Sequence, residues 1–127
     1  MKRAWRYWSS SSGATAIEFA ITAPLFMATL FAAVQFCHVL YTQLALQHGA
    51  EMAARCAAIG VCANESAAQA YAAAQSYGLN PPATTFTLTA AGCGSQVTAA
   101  YLFNYVTGFT GGPSVNLTAK SCFPTQS

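Results

Sequence analysis

The chain begins with a short polar and cationic stretch, and a long apolar segment follows it. No residue from Phe19 to Cys37 is charged, and the apolar character continues to Tyr41. About twenty apolar residues at a rise of 1.5 Å each span the hydrocarbon of a bilayer. The pattern therefore predicts a transmembrane helix over residues 14–41.

Beyond Tyr41 the sequence is rich in alanine and has a helical period. Polar residues recur at every fourth position, and small apolar residues line another face. The helix is therefore predicted to run without a break from Ala14 to Ile59, with Glu51 and Arg55 in a favourable order for an ion pair. The polar set is Gln43, Gln47, Glu51 and Arg55, and the apolar set is Leu46, Ala50, Ala53 and Ala57.

The rest of the chain predicts one more helix and a small sheet. Asn64 is suited to cap a second helix that continues to Gly78, before two prolines. Residues 84–90, 95–103 and 114–121 alternate and are rich in threonine, valine and aromatic residues, which is typical of strands. We expect an α+β fold with a long amino-terminal transmembrane and stalk helix, a second short helix and a three-stranded antiparallel sheet.

Four of the five cysteines follow the apolar segment, and Cys37 lies inside it. If the last two strands form a hairpin with its loop near residue 108, Cys93 and Cys122 face each other just beyond the strand ends. Cys56 and Cys62 form a second, local pair at the turn between the helices. Two disulfides in a small domain indicate an oxidising compartment.

Charge is scarce and unevenly distributed. Only 6% of the residues are charged, whereas 54% are hydrophobic. Three of the five cations lie before the apolar segment, which by the positive-inside rule leaves the amino terminus in the cytoplasm and exports residues 42–127. With so few cations beyond it, the chain has no basic surface for nucleic acid. The five cations are Lys2, Arg3, Arg6, Arg55 and Lys120.

The segment GATAIEFAITAPLF carries the most specific signal. Gly13 is followed by Ala14, with Glu18 and Phe19 at the start of the apolar run. This arrangement resembles the processing site of type IVb prepilins, and of TadE-like minor pilins or pseudopilins in particular. The resemblance continues through residues 23–25, Tyr41 and the run from 47 to 58.

This resemblance implies that a prepilin peptidase cuts between Gly13 and Ala14, so that residues 1–13 are a leader peptide. The new Ala14 amine and Glu18 would lie one helical turn apart and could neutralise each other. The remaining partners implied are other pilins, the pilus assembly platform and the bacterial inner membrane. Small residues of the helix would pack on neighbouring helices, as membrane helices prefer. They are Ala28, Ala32, Ala33 and Ala45.

Enzymatic sites find little support, so we expect a binding protein without cofactor, metal or small-molecule substrate. The chain has no aspartate, which excludes the usual Ser-His-Asp triad. His48, Glu51 and the more distant His38 are too few and too widely spaced for a strong metal site. Two alternatives stay open: a membrane-tethered enzyme or ligand-binding module of the envelope, and an unprocessed bitopic structural protein.

Four aromatic residues at alternating positions allow two interpretations. They could belong to the core, because one face of a sheet must be buried, or they could form a surface for subunit contact. The first interpretation is favoured. The residues are Tyr101, Phe103, Tyr105 and Phe109.

Overall fold

One helix accounts for the whole amino-terminal half of the described chain. The computed structural model describes residues 12–105 and 112–125. Helix α1 extends from Ser12 to Ala58, which confirms the single continuous helix and moves its start two residues earlier. The chain divides into two units after Phe36, and each unit is described separately below.

The first unit is apolar on every side. Large side chains all around α1 are exposed, and the helix is long and apolar enough to cross a membrane. The hydroxyls of Thr22 and Thr29 donate to the backbone carbonyls of Glu18 and Phe26, at 2.9 and 2.7 Å. These hydroxyl groups are therefore satisfied within the helix, as an apolar solvent requires.

The second unit continues α1 and adds helix α2, Glu65–Ala74. The Asn64 side chain caps α2 by accepting the backbone N–H of Ala67 at 2.8 Å, as the sequence indicated. The predicted end at Gly78 is wrong, because α2 stops four residues earlier. There the Ser76 hydroxyl donates to the carbonyl of Ala72, and the backbone of Tyr77 turns out of the helix with φ of 45°.

A single 3₁₀ turn, Ala83–Thr85, leads into the predicted antiparallel sheet. Its strands are β1 (Phe86–Ala91), β2 (Gly94–Asn104) and β3 (Ser114–Phe123), in the order β1-β2-β3. A two-residue turn joins β1 to β2, since Ala91 pairs with Gly94.

The register of the last hairpin differs by one position from the one expected for a loop near residue 108, so Cys93 and Cys122 do not face each other. Cys122 faces Gln96, whereas Cys93 lies in the turn between β1 and β2. The Cys93–Cys122 disulfide is nevertheless present, with Cα atoms 6.3 Å apart. It fastens the β1–β2 turn to β3 and does not close the β2–β3 hairpin as a facing pair.

The core lies between the end of α1, helix α2 and one face of the sheet. Leu46, Phe86 and Val97 are its largest fully buried hydrophobic side chains. Alanines of both helices fill the remaining space, so that the helices approach closely. The predicted apolar face is largely confirmed, although Ala54 is buried and Ala57 is only half-buried.

Gly49 marks the closest approach of the two helices. A Cβ at this position would lie 2.7 Å from the carbonyl oxygen of Ala72 and 3.2 Å from the ring of Phe86. Further along, the Cys56–Cys62 disulfide closes the turn between α1 and α2. Helix α2 therefore runs back along α1 as the second arm of a helical hairpin.

Candidate functional site

The residues of the predicted processing site lie in the first two turns of α1. Gly13, Ala14 and Glu18 are all exposed, and a Cβ built on Gly13 would meet no atom within 4 Å. Glycine is the least favourable ordinary residue in a helix interior, and first turns fray readily. This segment can therefore be drawn into an extended conformation at little cost.

Glu18 follows Ala14 by one helical turn, which places both on the same face of α1. In the intact chain Ala14 has a peptide nitrogen, so this face carries only the carboxylate. Cleavage before Ala14 would add a cationic amine about 6 Å away along the helix axis. The arrangement allows a charge pair that exists only in a processed chain.

The small residues predicted for helix packing divide into two groups. Ala28, Ala32 and Ala33 are exposed on the first unit and are open to contact. Ala45 is fully buried inside its own unit, so its predicted role in contacts between chains is wrong. Alanine alone gave no sign of this difference, because the segments that bury Ala45 come later in the chain.

The polar residues that recur along α1, from Gln43 to Arg55, form a polar stripe that covers the edge of β3. The Gln43 side-chain amide donates to the carbonyl of Thr118 at 2.8 Å, and Gln47 donates to the carbonyl of Lys120 at 3.4 Å. Both carbonyls belong to an edge strand, and an open edge is a template for aggregation. The glutamines therefore satisfy and cover backbone groups that a neighbouring strand would otherwise seek.

The predicted ion pair between Glu51 and Arg55 does not form. Glu51 accepts the side-chain amide of Gln47 at 3.2 Å, while the Arg55 guanidinium lies over the ring of Phe123, 4.8 Å from its centroid. Arginine stacks well on an aromatic face, because its planar cation meets the negative face of the ring. The polar stripe of α1 therefore lies along β3 from Thr118 to Phe123.

A group of contacts that the sequence did not predict holds the connector after α2. The Tyr41 hydroxyl donates to the backbone carbonyl of Tyr77. The Nδ1 atom of His48 lies 2.9 Å from the carbonyl oxygen of Gln75, and its ring stacks on that of Tyr77 with centroids 4.3 Å apart. His48 therefore has a structural role, and the described residues contain no group of three metal-ligating side chains.

The opposite end of the helical hairpin carries an apolar groove of about 410 Å³. Met52 of α1, Ile59 just beyond the end of α1 and Tyr71 of α2 line the groove together with the Cys56–Cys62 disulfide. Such a groove offers apolar contact but no convergent polar groups.

The alternating aromatic residues in and after β2 belong mainly to the core, which is the interpretation that the sequence favoured over a contact surface. Tyr101 and Phe103 are half-buried and pack against the core cluster. Tyr105 meets Phe103 edge to face, with centroids 5.4 Å apart. Phe109 lies outside the described residues.

Comparison with known families bears on α1 alone. A family model described as TadE-like protein matches residues 13–55. The match begins at Gly13 and ends three residues before the end of α1, so it contains the predicted processing motif and most of the helix. It confirms the resemblance noted from the sequence. No curated protein and no solved structure matches the chain significantly.

Proposed function

We propose, from the TadE-like character of residues 13–55, that this chain is a minor pilin or pseudopilin that takes part in the assembly of a tight-adherence, type IVb pilus. The match itself suggests a protein associated with the Tad pilus, a structural and not an enzymatic class. The observation that carries the proposal is the position of the match. It begins at the glycine of the processing motif and runs directly into an exposed apolar helix.

In this proposal α1 holds the protein in the inner membrane of a bacterium with its amino terminus in the cytoplasm. The large apolar side chains of the first unit support it, because in water they would be costly to expose. Two disulfides in the second unit support export to an oxidising compartment. Residues 42–127 would then lie in the periplasm or on the pilus surface.

Processing by a prepilin peptidase would release residues 1–13. Lys2, Arg3 and Arg6 would keep the site on the cytoplasmic face. The peptidase would need an extended backbone at Gly13. The exposed first turn of α1 could unwind to give this conformation with little loss of packing.

The new amine at Ala14 would then pair with Glu18, in the same chain or in a neighbour. A lone carboxylate at the edge of lipid is costly, so the pair favours a position where both charges meet. Between chains, it would set how far one helix slides along the next. Exposed small residues of the first unit, Ala28, Ala32 and Ala33, would allow that close packing.

Processing can be tested by the mass of the amino terminus in protein isolated from the native host's membranes. Wild-type protein should begin at Ala14, whereas Gly13→Ala should keep the leader. Because nothing lies within 4 Å of the added methyl group, this variant keeps its fold. Ser12→Ala is the matched control and should be cut normally. A wild-type chain that begins at Met1 would reject processing.

Assembly can be tested with Glu18→Ala, counted as pili per cell beside the amount of protein in the membrane fraction. We expect normal insertion and few or no pili. The control is Glu65→Ala, which removes an exposed glutamate of α2 that bonds only to Gln69. Normal piliation of the Glu18 variant would favour the unprocessed bitopic protein.

A further inference from the structure

Five large apolar side chains of the second unit are exposed towards the end at which α1 enters it. Leu40 and Tyr41 are 52% and 50% exposed, and Leu44 of the next turn is 61% exposed. Tyr77 in the connector is 52% exposed, and Leu102 near the end of β2 is 54% exposed. We call these five residues the rim. The rim thus combines exposed apolar side chains from three separate segments, with Leu102 on the sheet face that points away from the core.

The contacts of α1 show that the three segments that carry the rim lie at about the same height along the axis of α1. Gln43 bonds to Thr118 and Gln47 to Lys120, so four helical residues, about 6 Å, match two strand residues, about 7 Å. One step back along β3, Asn116 therefore lies beside Val39, and Asn116 pairs with Leu102.

The connector reaches the same level by a direct contact. The Tyr41 hydroxyl donates to the carbonyl of Tyr77, which holds Tyr77 beside the turn of α1 that contains Leu40 and Leu44. The stack on His48 fixes the direction of its ring.

Among the described residues of the second unit, the charged ones lie at other positions along α1 and β3 than the rim. Lys120 is the nearest along β3, and its carbonyl accepts from Gln47, about 9 Å beyond Tyr41 along the helix. Glu51 and Arg55 lie further along α1, and Glu65 begins α2 at the far end of the helical hairpin. The rim is thus a neutral end of the described part of the second unit, and Lys120 is the nearest charged residue to it along β3.

The expected depth of α1 puts this neutral end at a membrane surface. Twenty residues of helix cross about 30 Å of hydrocarbon, so a span that begins at Glu18 ends near His38. The headgroup layer adds roughly 5 to 7 Å, which reaches about to Gln43. Leu40 and Tyr41 fall within this layer and Leu44 lies at its edge, whereas the backbone of Lys120 and the other described charged residues lie beyond it.

We propose that the rim rests on the lipid headgroups of the membrane that α1 crosses, and this inference depends on the proposed function. Tyrosine suits the location, because its ring is apolar and its hydroxyl remains in contact with water or headgroups. The connector and the end of β2 then add two lipid contacts on different sides of α1. Together they fix the depth and tilt of the helix before the protein meets other subunits.

The proposal can be tested on the full chain in nanodiscs with single nitroxide labels. In a Cys37→Ser background, labels are attached at Leu102→Cys, with Tyr77→Cys as a second rim position. Ile59→Cys is the control, because Ile59 is also an exposed apolar residue, at 65%, but lies just beyond the other end of α1. Phe31→Cys reports whether α1 itself is in lipid. Collision with oxygen, which prefers lipid, is compared with collision with a water-soluble nickel chelate.

We expect the oxygen-to-nickel ratio at residue 102 to be several-fold higher than at residue 59, and below that at residue 31. Equal ratios at residues 102 and 59, with residue 31 in lipid, would overturn the proposed contact between the rim and the headgroups. The proposal that α1 spans the membrane would remain. A water-exposed label at 31 would reject both. Shielding of residue 102 from both reagents, with broadening between labels, would show a second copy of the chain on the rim and also overturn the proposal.

Discussion

The imidazole ring of His48 stacks on the phenol ring of Tyr77 with centroids 4.3 Å apart, and its Nδ1 atom lies 2.9 Å from the carbonyl of Gln75. The two contacts hold a connector whose backbone at Tyr77 has φ of 45°, a conformation that disfavours a bulky residue. Packing outside the connector therefore maintains its shape.

Replacing this histidine should loosen the connector. His48→Ala removes a hydrogen bond and an aromatic contact, which together contribute about 1 to 2 kcal/mol to the free energy of unfolding. His38→Ala is the matched control, because His38 is exposed on the same helix. Thermal unfolding in detergent measures both, and equal losses would contradict a specific role for His48.

Gly49→Ala should disturb the closest approach of the two helices. The added methyl group would lie 2.5 Å from the Ser76 hydroxyl and 2.7 Å from the carbonyl of Ala72, and the carbonyl cannot rotate away. We expect a loss of about 1 to 3 kcal/mol, typical of overpacking. Gly13→Ala should leave the unfolding temperature unchanged, since its methyl group meets nothing within 4 Å. An unchanged Gly49 variant would mean that α2 can move aside.

The double variant Gln43→Ala, Gln47→Ala should open the edge of β3. Two backbone carbonyls lose their donors, at a cost of about 1 kcal/mol each, and the bare edge favours pairing between chains. Gln69→Ala removes only an exposed bond to Glu65 and serves as the control. Light scattering of the detergent-solubilised protein during slow heating should show earlier aggregation for the double variant alone.

The two disulfides should differ in their contribution to stability. Cys93 and Cys122 are 29 residues apart, so their bond restricts the unfolded chain by about 3.6 kcal/mol, against about 2.2 kcal/mol for the six-residue separation of Cys56 and Cys62. Paired Cys→Ala variants, compared by denaturant unfolding, should follow this order. Cys37→Ser should have no effect, because Cys37 is unpaired and exposed. The reverse order would mean that the helical turn depends on its disulfide.

Local sequence patterns predicted the helices and strands well, because the formation of each one depends mainly on residues that are close together in the sequence. The uncharged run from Phe19, the cap at Asn64 and the alternating strands all indicate structure within a few positions. The end of α2 was predicted too late, since Gly78 is a good terminator but the helix already ends at Ala74, with Gln75 as its cap.

Contacts between distant segments were not predictable in the same way. Gln43 and Thr118 are 75 residues apart, and nothing near the glutamine indicates that it satisfies a strand edge. The pairing of Cys93 with Cys122 was inferred through a register that was one position wrong, and it remained possible because a turn can still bring Cys93 close. His48 suggested a ligand or a solvated face, whereas its partners lie in a connector formed much later in the chain.

The direction of β3 has a mechanical consequence. Because β3 runs alongside α1 in the same direction, from Thr118 beside Gln43 to Phe123 beneath Arg55, a pull along the helix axis loads these contacts in shear. Contacts loaded in this way share the force and must break together, whereas contacts that peel break one at a time. The sheet of the second unit is thus fastened to α1 in the geometry that best resists tension along the helix axis.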